Sequence, residues 1–235
     1  ARHHTDTYIV GRDVEISWMR PPPVLRAVLA FFDVWGSVNS MRTLIRQAGG
    51  TLNDDEKNYI PETEGQVSVF DRGFLFSDSV YEVVSVLGGK LVDFDGHVQR
   101  LGRSLGELGI KGAPDAAAWL TICRELVTRN AVEEGMIYWQ VTRGAPTDRD
   151  FVFPPEGTTP TVFAFSQSRA LADTPLAKRG IRVVTLPDLR WGRADIKTTQ
   201  LLYASLMKNE AIARGVDDAW MERGGVVTEG TAQNA

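Results

Sequence analysis

A chain of 235 residues is long enough to bury a substantial core, in one large domain or two small ones. Its composition, 43% hydrophobic, 24% charged and 9% aromatic, is that of a globular enzyme and argues against disorder. A net charge of −4, without clustered Lys and Arg, leaves no electrostatic footprint for nucleic acid or anionic lipid, so neither is expected as a partner. The single cysteine, Cys123, cannot form an internal disulfide, and its setting, Leu120-Thr121-Ile122-Cys123-Arg124-Glu125-Leu126, is that of a small apolar residue on a helix. The start reads without a signal peptide. Residues 24–35, the most apolar early stretch, are interrupted by Arg26 and Asp33 and are too short to span a bilayer. A cytoplasmic protein is the expectation.

Pro21-Pro22-Pro23 separates a polar leader from an amphipathic stretch at residues 25–32, and Gly49-Gly50 and Asn53-Asp54-Asp55 mark further turns. Residues 1–57 are therefore read as an extension or a divergent start. Strand texture begins at Gln66, with Val67 and Val69 alternating with polar residues. Residues 81–87 are rich in β-branched side chains, and Gly88-Gly89 signals a hairpin. Phe94, Val98, Leu101 and Leu105 recur at helical spacing behind Asp95, a reasonable N-cap. A second helix is expected around residues 116–130, with strands at 137–142 and 161–165. Residues 166–178 have no strong period and contain Pro175, which suits a connection between domains. A strand follows at 181–186. A helix beginning near Thr198 then places Leu202, Leu206 and Ala213 on one face and stops at Gly215, and a hairpin turns at Gly224-Gly225. The pattern is α+β.

Three segments bear the chemistry. Asp195-Ile196-Lys197-Thr198-Thr199 is followed 32 residues later by Val227-Thr228-Glu229-Gly230-Thr231. Upstream, Phe70-Asp71-Arg72-Gly73-Phe74-Leu75-Phe76-Ser77-Asp78-Ser79-Val80-Tyr81-Glu82 runs on to Asp95-Gly96-His97-Val98-Gln99-Arg100-Leu101. Together with Ile137-Tyr138-Trp139-Gln140-Val141-Thr142-Arg143-Gly144 and Asp188-Leu189-Arg190-Trp191, these segments resemble the fold-type-IV pyridoxal phosphate enzymes. That family includes the D-amino acid, branched-chain and (R)-amine transaminases and aminodeoxychorismate lyase, and the D-amino acid branch is the nearest in pattern. The resemblance covers roughly residues 58–235. It implies a small α+β domain at 58–168, a linker at 169–178 and a cofactor-binding domain at 179–235.

The resemblance also implies roles. Lys197 would form the Schiff base with pyridoxal 5'-phosphate and carry the catalytic proton, while the cofactor serves as electron sink. Glu229 would hydrogen-bond the protonated ring nitrogen, since a nearby anion favours the charged ring. Arg100 would hold the phosphate with charge-assisted donors, and its spacing from Tyr81 selects it over Arg103. Tyr81 would line the pocket beside substrate and cofactor. Thr231, with Asn234 beyond it, would add polar contacts. His97 reads as a structural helix residue.

Two departures qualify the match. In Ala145-Pro146-Thr147-Asp148-Arg149-Asp150-Phe151-Val152-Phe153-Pro154, Arg149 matches an arginine that helps to hold the substrate carboxylate, but Phe151 stands where that branch has a histidine. An altered carboxylate trap makes (R)-amines easier to accommodate. The family also continues well past its Thr-Glu-Gly motif, so the second domain is read as incomplete. The leading expectation is a homodimeric transaminase that moves an amino group between a D-amino acid or (R)-amine donor and a 2-keto acid acceptor. A lyase of the aminodeoxychorismate lyase type and a non-catalytic relative remain open.

Overall fold

Residues 79–87 alternate between buried and half-exposed positions, and this period-two pattern builds the longest strand pair of the fold. A computed structural model of the chain describes residues 42–46, as backbone, and 59–233. The stretch 25–32 and Asn234 lie outside the described residues. Strand β1 (Arg42–Arg46) and β2 (Tyr59–Pro61) precede helix α1 (Arg72–Phe76), β3 (Ser79–Leu87), β4 (Lys90–Leu91), α2 (Phe94–Leu108) and α3 (Ala116–Arg129). Then come β5 (Glu134–Thr142), β6 (Val162–Ser168), α4 (Pro175–Arg179), β7 (Val183–Pro187), α5 (Leu202–Ala213), β8 (Asp218–Arg223) and β9 (Val226–Gly230). The result is a mixed α+β fold with two sheets.

The larger sheet is antiparallel, with order β2-β1-β6-β5-β3-β4. Its centre is the β3–β5 pair, registered from Ser79 opposite Thr142 to Leu87 opposite Glu134. One face is covered by α2 and α3, whose buried Leu101, Leu105, Ile122 and Leu126 meet Val80, Val84, Ile137 and Val141. Trp119 of α3 stacks on Trp139 of β5 with centroids 5.1 Å apart, and Phe94 meets Trp139 edge-on at 5.9 Å. Both indoles are almost fully buried, so the stack lies at the centre of the apolar layer. The smaller sheet pairs β7 parallel to β8 and β8 antiparallel to β9, with α5 packed on β7 and β8.

Helix α1 and the turn after β5 are tied to the start of β3 by charge. Asp78 accepts from Arg72 Nε at 2.7 Å and from Arg143 Nε at 2.8 Å, and all three side chains are largely buried. Gly144 follows at φ 94°, where a Cβ would lie 2.2 Å from the Thr159 carbonyl oxygen, so close backbone approach requires glycine there.

Several boundaries differ from the sequence expectations. Residues 65–68 form no strand, and Val67 and Val69 are exposed. Asp95 lies in the first turn of α2 and the N-cap is Asp93, in the left-handed region. Helix α5 begins only at Leu202, because residues 197–199 are paired with β3. Its apolar face is not the buried one. Leu202 and Leu206 are exposed, whereas Ala204 and Ala211 are buried, because small side chains let the helix approach the sheet closely.

Truncating the centre of the indole stack removes both area and contacts. Trp139→Ala is expected to lower stability by about 3–5 kcal/mol, read from urea unfolding; a loss of only about 0.5 kcal/mol, as for a surface position, would contradict the central place given to the stack.

Candidate active site

The segment around Lys197 is extended because strand β3 pairs with it. Tyr81 N donates to Lys197 O at 3.1 Å, Thr199 N to Ser79 O at 3.4 Å, and Val80 and Thr198 form an antiparallel bridge. Side chains reinforce this seam: Ser79 Oγ and Thr199 Oγ1 are 2.6 Å apart, and Gln140 Nε2 donates to Ser79 Oγ at 3.2 Å. Ile196 and Thr198 are buried, and Lys197 between them lines, with both, a cavity of about 180 Å3. The turn before it is held by ion pairs of Arg193 with Asp195 and Glu107, while Arg103 donates to the Asp195 carbonyl.

Tyr81, Arg100, Lys197, Glu229 and Thr231 all line this cavity, joined by Arg190, Trp191 and Leu201. Lys197 Nζ lies 4.5 Å from the centroid of the Tyr81 ring. Burial lowers the pKa of this amine, and it stays lowered although the Glu82 and Glu229 carboxylates favour the charged form. A neutral amine, the nucleophilic form, is therefore reached at lower pH than in a solvated lysine. Burial likewise raises the Tyr81 phenol, with Glu82 adding to the effect.

Arg100 is held on one side by a buried carboxylate. Its Nε donates to Glu82 Oε1 and its Nη2 to Glu82 Oε2, each at 2.7 Å, and His97 Nδ1 lies 2.8 Å from Oε2. Burial opposes ionisation of Glu82, but hydrogen bonds from Arg100 and His97 outweigh it and hold the carboxyl below its usual range. Glu229, on β9, is partly exposed, with Arg190 Nη1 3.8 Å from its Oε2. Arg190 is itself clamped by Asp188, two 3.0 Å bonds that hold the Asp188 carboxyl far below the usual carboxylate range. Thr228 Oγ1 donates to the same carboxylate at 2.7 Å. The Thr231 hydroxyl donates to Asp218, which is also bonded by Lys208 and Gln233.

Arg149 is not brought to this cavity. Its guanidinium lies 4.9 Å from the Phe76 ring centroid and 5.2 Å from that of Phe151, in a partly exposed aromatic cluster. Among the described residues no group of three or more His, Cys, Asp or Glu could hold a metal ion, and no helix is long and apolar enough to cross a membrane.

A family model described as amino-transferase class IV matches residues 79–235. The chain belongs to this family. As a class IV aminotransferase it is 36% identical over 179 residues to a D-alanine aminotransferase of Staphylococcus aureus, covering 75% of this chain and 62% of the relative's length. A fold IV-transaminase from Curtobacterium pusillum superimposes with a TM-score of 0.63 at 25% identity, over 81% of this chain and 67% of that one. A branched-chain aminotransferase from Thermoproteus uzoniensis has the same fold, with a TM-score of 0.65 at 20% identity over 82% of this chain and 63% of that one.

The cavity offers an amine, an arginine fork, a carboxylate and an aromatic wall. That donor set fits a phosphorylated heteroaromatic aldehyde: the amine suits the aldehyde, the guanidinium the phosphate and the carboxylate a protonated ring nitrogen. Sequence reasoning overlooked Glu82 and Arg190 as parts of the site. For Glu82 a signal existed, since it shares the phase of Val80, Val84 and Val86 and so had to be a carboxylate turned toward the core.

The lowered basicity of Lys197 is open to direct measurement. Competitive acetylation read by mass spectrometry should give its amine an apparent pKa below the ordinary 10.5. Glu229→Gln, by removing an anion that favours the charged form, should lower it further; a rise would contradict the sign of that interaction.

Proposed function

We propose that this chain carries the pyridoxal 5'-phosphate site of a transaminase that exchanges an amino group between a D-amino acid or (R)-amine and a 2-keto acid. The observation that carries the reading is the convergence of Lys197, Arg100 and Glu229, from three separate sequence segments, on one cavity. The chain spans 62% of the length of the staphylococcal relative, whose name supplies the D-alanine preference. Phe151, standing where the D-amino acid branch has a histidine, favours extending the donor range to (R)-amines.

When bound, the cofactor supplies the aldehyde that takes up the amino group and the conjugated ring that accepts electrons from the substrate carbon. With that group held in the cavity, Lys197 Nζ would be the base that takes the proton from the substrate Cα and the acid that gives it back, for the donor and for the 2-keto acid acceptor in turn. Glu229 would face the ring nitrogen and accept its proton's hydrogen bond, with Arg190 Nη1 3.8 Å from the carboxylate. Arg100 holds the phosphate, Tyr81 packs beside the reacting amine, and Thr231 contributes a polar contact through its backbone.

Residues 58–168 form the small domain in this reading, 169–178 the linker and 179–235 the cofactor domain. Hydrogen bonds at both ends of the connection support the division. Glu134 Oε1 accepts from Leu171 N and Ala172 N, while Asp217 accepts from Arg179 and Arg182. A homodimer belongs to the same reading. Phe74, Phe151 and Val152 are 75%, 76% and 73% exposed, and a second copy of the chain would cover them.

Titration of the protein with pyridoxal phosphate should produce a visible absorption band that Lys197→Ala abolishes and D-alanine bleaches. A Lys197-dependent band unmoved by D-alanine but bleached by (R)-amines would reassign the donor, and pyruvate release without an acceptor would mark a lyase. No band would overturn the cofactor reading. Light scattering should report a dimer that Phe151→Ser with Val152→Ser dissociates; a monomeric unaltered chain would remove the dimer from the proposal.

A further inference from the structure

Arginine can be gripped by a carboxylate side-on, through Nε and one Nη, and the end of the fork then remains available to a second anion. Arg100 is held this way by Glu82, and its Nη1 makes no hydrogen bond among the described residues. Glu82 is fully buried on β3, so it cannot follow a moving partner. His97, one helical turn before Arg100, fixes the carboxylate from the other side. Its Nδ1 lies 2.8 Å from Glu82 Oε2 and 3.3 Å from Arg100 Nη2. An anionic oxygen at the shorter distance needs a hydrogen between, so Nδ1 carries the proton and donates to Glu82. The nearby Arg100 Nη2 is then a second donor to the same carboxylate and not a partner of the ring.

We infer that Glu82 is a positioning residue, which with His97 presents the free end of the Arg100 guanidinium to the phosphate of the cofactor. The inference rests on the cofactor reading and adds to it how the arginine is oriented. A long side chain 41% exposed would otherwise sample many rotamers, and fixing it beforehand removes an entropic cost from binding. The same pairing balances the Arg100 charge before any ligand arrives, so the grip works through aimed donors and not through a bare cation. Glu82 therefore acts on the phosphate through Arg100, whereas its electrostatic influence on the Lys197 amine falls on both aldehydes alike.

The test compares pyridoxal phosphate with pyridoxal, which has the aldehyde and ring but no phosphate, by absorbance titration of the full chain. In Glu82→Gln the amide NH2 can no longer accept from Arg100 or His97, while the shape is kept. Its Kd for pyridoxal phosphate is expected to rise about tenfold, with pyridoxal changed less than about twofold. In an Arg100→Lys background the same substitution should leave the ratio of the two constants unchanged. Equal weakening of both ligands, no change in either, or an undiminished effect in the Arg100→Lys background would overturn the assignment. If circular dichroism shows Glu82→Gln to be unfolded, His97→Asn takes over the comparison, with a smaller phosphate-selective loss expected and an equal loss for both ligands overturning the proposal. Failure of the unaltered chain to bind either aldehyde would instead bring down the cofactor reading, and this inference with it.

Discussion

The seam between β3 and residues 197–199 is the constraint on which the rest of the site depends. A backbone bridge between Val80 and Thr198, with hydrogen bonds on either side, holds the chain extended where helix propensity would let it begin to coil. Ile196 enters the apolar layer there, and Lys197 lines the cavity. Because it is paired with β3, the lysine comes beside Tyr81 and within electrostatic reach of Glu82. Strand β3 thus presents an aromatic ring to the cavity and a carboxylate to the helix packed behind it.

Charges in the cavity are arranged in couples. Arg100 is matched by Glu82 and Arg190 by Asp188, and each carboxylate of these couples is nearly or fully buried. Breaking either couple would leave a charge without its partner, which costs more than never having placed it there. Among the described residues Lys197 and Glu229 have no partner as close, and these are the groups to which the proposed function gives proton chemistry. In that reading the couples serve orientation and the less constrained pair serves reactivity.

Much of the fold could be read directly from periodicity. The β3–β4 hairpin around Gly88-Gly89, the helices at Phe94–Leu108 and Ala116–Arg129, and the hairpin at Gly224-Gly225 follow from local patterns, since each depends on residues near one another in sequence. Local patterns said less where a distant segment intervened. Helix α5 starts four residues after Thr198 because β3 pairs with the backbone at 197–199, and its buried face carries alanines because the sheet is approached closely. Arg149, matched by motif to a substrate contact, stacks between phenylalanines outside the cavity, a placement that no spacing rule could supply.

What the sequence by itself determined was the family and the α+β succession, and it supplied the lysine, arginine and carboxylate proposed to hold the cofactor, because motifs and hydrophobic periods are written in order along the chain. The tertiary structure alone decided how these groups act on one another. Residues 82, 97 and 100 become one hydrogen-bonded unit only when α2 folds over β3, and Lys197 acquires its lowered basicity only when the cavity closes around it. Burial and mutual distance set electrostatic strength, and both are properties of the packed molecule.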